Sequence, residues 1–132
     1  MGTVRWPGGS VYWARALGLS YRQVDHWCRI GRLGPRLMES RGSGSVRTFT
    51  IDEVFRLAVL AEAKSIWQGG SELPAGLSSY IATATLDDVV GVFQISSSPY
   101  SAAVINAPAL AEHVRDLWAK CQLDTRHYME VV

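Results

Sequence analysis

The chain has 132 residues, of which 48% are apolar and 19% charged, with five Trp and five Tyr. This make-up suits one folded domain or two very small ones and excludes a disordered polymer, and no apolar run approaches the roughly 20 residues of a membrane helix. A net charge of +1 excludes no partner, but the charge is unevenly spread: residues 1–64 carry ten Arg and Lys against five acids (+5), and residues 65–132 three against seven (−4).

Residues 1–9 read as a loose leader ending in Pro7-Gly8-Gly9, without the apolar core of a secretory signal. Ser10 caps a first helix with Val11, Tyr12, Ala14 and Leu17 at helical spacing, and Gly18 ends it. A second helix over residues 20–30 starts at Ser20, with Gln23 as its capping-box partner, and stops at Gly31. Val24, Trp27, Cys28 and Ile30 form its expected buried stripe. Two short helices around Gly18-Leu19 predict a helix-turn-helix.

Strands over residues 36–39 and 45–49, with Arg41-Gly42-Ser43-Gly44 at the tip, predict a wing. Thr50 then caps a third helix with Asp52 and Glu53 in its first turn, and Val54, Leu57, Ala58, Leu60, Ala61 and Ile66 along it. Residues 69–76, GGSELPAG, have the composition of a hinge between a domain over 1–68 and a region over 77–132. In that region a weak helix over 77–86, strands over 89–96 and 100–106, and a final helix over 108–121 are expected, with the tail unassigned. The predicted class is α+β: an N-terminal winged helix-turn-helix followed by a small hairpin-plus-helix C-terminal region.

Nine of the ten basic residues in the first half are arginine, and eight of those precede Phe49. The planar guanidinium fork suits phosphate and the guanine edge. The order helix, GLS turn, helix, arginine-bearing wing and a helix opening on Thr-Ile-Asp-Glu-Val resembles the winged helix-turn-helix of MerR-type transcription regulators and their BldC-like and excisionase-like relatives. The residues that carry the resemblance span about 11–62. They are Ala14, Leu17-Gly18-Leu19-Ser20, Val24, Trp27, Gly31-Arg32-Leu33, Gly44, Arg47, Phe49, Asp52-Glu53-Val54 and Leu57.

The resemblance implies that the second helix enters the major groove and the wing reaches the flanking backbone. The implied DNA-facing residues are Ser20, Tyr21, Arg22, Gln23, His26, Arg29 and Arg32 from the helix and its end, with Arg36, Arg41 and Arg47 from the wing. Asp25 departs from the family pattern; a carboxylate there either accepts from cytosine N4 or orients Arg22 or Arg29. Beyond Gln68 the chain also departs, because Gly69-Gly70 and Pro74 cut short the long dimerisation helix usual in that family.

No catalytic constellation stands out. Asp87-Asp88 reads as a helix-to-strand boundary, and RGSGS lacks the Lys-Ser/Thr of a phosphate loop. Cys28 and Cys121 are isolated, and neither His113 nor His127 has metal-ligand spacing, so no metal, no cofactor and a reducing, cytoplasmic compartment are expected. The expected function is sequence-specific binding of double-stranded DNA by a small transcription regulator. It would act as a homodimer, with residues 77–132 pairing two copies or taking a protein partner. The alternative is a non-enzymatic protein-interaction adaptor that keeps a winged-helix shell.

Overall fold

Two short helices, α1 (Ser10–Ala16) and α2 (Tyr21–Arg29), open the fold and pack against each other across residues 17–20. The computed structural model describes residues 9–38, 47–67, 73, 75–89, 91–98 and 100–131. Both helices end the same way. Gly18 (φ 71°) and Gly31 (φ 79°) adopt left-handed backbone that a side chain would strain. The next N–H then folds back, Leu19 to the Ala14 carbonyl at 2.7 Å and Arg32 to the Trp27 carbonyl at 3.0 Å. Carbonyls that the helix end would otherwise leave unpaired are satisfied.

The apolar stripe of α1 is not the expected one. Trp13 is wholly buried beside Ala14, whereas Val11 is exposed and Tyr12 half-buried. Seven residues make only two turns, too few for spacing to define a face, and the largest ring decides the orientation. Ile30 is also exposed, because it sits at the end of α2, where the chain leaves the helical path.

The expected wing strands are likewise corrected. Pro35–Met38 form a single 3-10 turn instead of a strand, consistent with the fixed φ of Pro35 at its start, and residues 47–50 lie outside any strand. The predicted tip, with Arg41, lies outside the described residues.

Helix α3 (Ile51–Ile66) starts at Thr50, whose hydroxyl accepts from the Glu53 N–H at 3.2 Å while the Glu53 carboxylate accepts from the Thr50 N–H at 2.8 Å. Its burial is more than a stripe: Val54, Phe55, Leu57, Ala58, Val59, Leu60 and Ala63 are all enclosed. This makes α3 the central element, with α4 (Ala75–Thr83), a strand β2 (Ser101–Asn106) and a long helix α5 (Ala107–Val131) packed against it. Helix α4 ends before the expected 77–86 span does. Leu86–Asp88 form a separate 3-10 turn, fixed by the Leu86 N–H donating to the Asp52 carboxylate at 2.9 Å.

Strands β1 (Val92–Ser98) and β2 (Ser101–Asn106) form an antiparallel hairpin with Phe93 opposite Ile105 and Gln94 opposite Val104. Side chains alternate between faces, so Ile105 enters the core while Val92 and Val104 stay exposed. Helix α5 (Ala107–Val131) runs well past the expected 108–121, since no Gly or Pro follows Pro108 to stop it.

One buried cluster takes residues from both sides of the 69–76 segment, including Trp13, Val24, Phe55, Leu60, Ile81 and Val114. Its far ends meet where the Trp13 ring stacks on Trp118 of α5, centroids 5.7 Å apart and planes 4° from parallel. Truncating a buried ring like Trp13 to Ala costs about 3–5 kcal/mol. Among the described residues, the architecture is α-rich, with five α-helices and one two-stranded hairpin, and no helix is long and apolar enough to cross a membrane.

Candidate nucleic-acid interface

Helix α2 divides cleanly into two faces. Val24, Trp27 and Cys28 are buried, whereas Tyr21, Arg22, Gln23, His26 and Arg29 are exposed. Arg22, His26 and Arg29 follow at i, i+4 and i+7, which keeps them on one side of the helix. The N-terminus is closed by its own side chains. The Ser20 hydroxyl accepts from the Gln23 N–H at 3.1 Å, and the Gln23 carboxamide oxygen accepts from the Ser20 N–H at 3.1 Å. Ser20 and Gln23 therefore hold the start of the helix as well as standing at its surface.

Asp25 occupies the border between the two faces. One carboxylate oxygen lies 3.0 Å from the Arg29 Nε, and the other lies 2.5 Å from an Arg47 terminal nitrogen. Arg47 also donates its Nε–H to the Leu37 carbonyl at 3.3 Å. Asp25 is thus matched by two guanidinium groups, and its charge is compensated from both sides. Arg22, His26 and the missed Arg15 of α1 are exposed and have no such partner among the described residues.

The remaining predicted arginines among the described residues have partners within the fold. The side chain of Arg47 is only 8% exposed, against 63% for Arg29, so Arg47 sits behind α2 and does not face solvent. Arg36 grips both oxygens of Glu53 and donates to the Thr48 carbonyl at 2.6 Å. Arg32 donates to the Ser78 hydroxyl at 2.9 Å, toward α4. Arg56, not singled out from the sequence, ties the Leu33 carbonyl at 3.1 Å to the Ala84 carbonyl at 2.8 Å. Arg41 lies outside the described residues.

Two buried groups show what this packing does to ionisation. Burial pushes the Glu53 carboxyl up, but hydrogen bonds from Arg36 and Thr50 more than offset it and hold the carboxyl below the usual carboxylate value. The same pairing raises the pKa of Arg36 further. The Cys28 thiol is pushed up to about 11, chiefly by burial, with Arg47 opposing and Asp25 and Glu53 adding to the rise. A thiol in that state is a small apolar core group and a poor nucleophile. Among the described residues, no group of three or more His, Cys, Asp and Glu comes together in a metal-binding arrangement.

Comparison of the chain with protein-family models, with curated proteins and with solved structures gave no match. The reading of this surface accordingly rests on its own chemistry. It offers two exposed guanidinium groups and an imidazole in a row on a helix whose other face is anchored in the core. Such an array can meet phosphates and base edges, or a complementary acidic protein surface.

Sequence reasoning missed Asp25 as a double clamp and Arg15 as a further exposed cation. The i, i+4 spacing of Asp25 and Arg29 carried the first half of that clamp. Its second half, from Arg47, is a long-range contact that spacing along one helix does not encode.

Proposed function

We propose that this protein binds double-stranded DNA as a small, non-enzymatic, cytoplasmic transcription regulator, laying α2 in the major groove in the manner of a helix-turn-helix. The observation that carries the reading is the row Arg22, His26 and Arg29, exposed on a short capped helix whose opposite face is buried. In this reading Arg22 and Arg29, with Arg15 nearby in sequence, supply the cationic contacts. Arg36 and Arg47 brace the connection behind the helix, so each copy makes few phosphate contacts, on the order of two to four. Weak binding per copy calls for two copies to select a site. A homodimer through the C-terminal hairpin is part of the proposal, supported by Val92 and Val104 on its outer face.

Fluorescence anisotropy of the full chain with a labelled random duplex tests this. Micromolar binding that weakens steeply between about 50 and 200 mM salt is expected. Absence of binding at low salt would overturn it.

A protein-interaction adaptor remains the second reading, favoured by one observation. Ile30 and Met38 are both 47% exposed at the end of α2. An apolar contact there would be almost indifferent to salt, which separates the two readings in the same titration.

A further inference from the structure

We infer that Arg29 is the side chain that tells one base pair from another, and that Asp25 is the positioning residue that equips it to do so. The inference rests on the DNA-binding reading and adds a division of labour within it. Each oxygen of Asp25 already faces a guanidinium, one that of Arg29 and the other that of Arg47, so orienting Arg29 is the role its geometry favours. Arg47 is in turn enclosed and tied to the Leu37 carbonyl, so Asp25 is anchored from behind. The result is a fixed chain of contacts from the Leu37 carbonyl through Arg47 and Asp25 to Arg29.

That chain meets Arg29 at its Nε, 3.0 Å away, on a side chain that is 63% exposed, and the bidentate role falls to its two terminal nitrogens. Those two nitrogens carry four of the five guanidinium N–H donors. Two in-plane N–H groups are what a bidentate contact to guanine O6 and N7 requires. A guanidinium already held in place gives up less rotamer freedom on binding, so its directional preference survives as selectivity. Arg22 stands on the same face without a tether among the described residues, which suits a phosphate contact, where direction counts for less.

The test uses the full chain. Duplexes enriched from a random library are re-measured by anisotropy with single base-pair substitutions at every position, for the unaltered protein and for three variants. At one G·C pair the unaltered protein is expected to lose about 5- to 100-fold in affinity on substitution. In Arg29→Lys and Asp25→Asn that loss shrinks to about twofold, with affinity for unrelated duplexes kept or increased. Arg22→Ala weakens all duplexes alike and reduces the salt slope by about 1. Arg29→Lys leaves the Asp25–Arg47 pair in place, so it carries the test if Asp25→Asn unfolds. Undiminished selectivity at every position in Arg29→Lys overturns the inference. Salt-sensitive binding without any enriched sequence also overturns it but leaves DNA binding standing, whereas no binding at low salt removes both.

Discussion

Arg29 and Arg47 share one carboxylate and have opposite exposures. Arg29 reaches Asp25 from the solvent side of α2 and keeps most of its surface open; Arg47 reaches it from behind and is almost enclosed. Arg22 stands exposed without a partner among the described residues, whereas Arg36, half exposed, closes on the buried Glu53. The lesson is that arginine enrichment in a short basic domain mixes two populations. One braces loops whose backbone carbonyls and buried carboxylates need donors, and the other stands on the surface. A positive balance over residues 1–64 counts both.

The widest test of that division is Arg47→Ala. Removing an enclosed guanidinium strips the Leu37 carbonyl of a donor and leaves Asp25 only its exposed partner, and a loss of about 2–4 kcal/mol in stability is expected in denaturant unfolding. A change under about 0.5 kcal/mol would place Arg47 with the surface arginines after all.

Arg36→Ala is expected to cost less, about 1–3 kcal/mol near neutral pH, since its side chain is half exposed while Glu53 is buried. Its pH dependence is the sharper reading. Glu53 is held below the usual carboxylate value in the folded state, so its contribution is complete above an unfolded pKa of about 4.3 and fades as pH falls through the lower folded value. The gap in melting temperature between the unaltered protein and Arg36→Ala should therefore narrow from pH 6 toward pH 3. A constant gap would mean that the pair contributes packing alone.

Gly31→Ala is smaller again, at about 1–2 kcal/mol, because an L side chain at φ 79° is strained. The added methyl would also sit 3.0 Å from the Met38 sulfur. Arg22→Ala should change stability least, within about 0.5 kcal/mol, while weakening duplex binding. Loss of stability without loss of binding would reverse its assignment.

What the sequence revealed and what it hid follow the reach of each signal. The Ser20–Gln23 capping box and the Thr50 cap lie within four residues of their partners and were legible, as were the glycines that stop α1 and α2, although the return bond from Glu53 was not foreseen. The hairpin and the start of α5 were legible within a few residues, since pleat alternation and a proline near a helix start are local. The destinations of Arg36 and Arg47 were not, because their carboxylates lie 17 and 22 positions away. Nor was the burial of Trp13, which depends on a ring at the other end of the chain. Within the candidate surface, the exposed face of α2 was therefore readable in advance, and the bracing behind it was not.

The Trp13–Trp118 stack has a consequence in time. The two rings belong to α1 and α5, so a ribosome has made α2, α3, α4 and the hairpin before the partner of Trp13 exists. Until then the Trp13 ring lacks its stacking partner. The basic half of this protein reaches its final packing only once α5 has been made, and a chain cut short before α5 would present a tryptophan to whatever chaperone or protease meets it first.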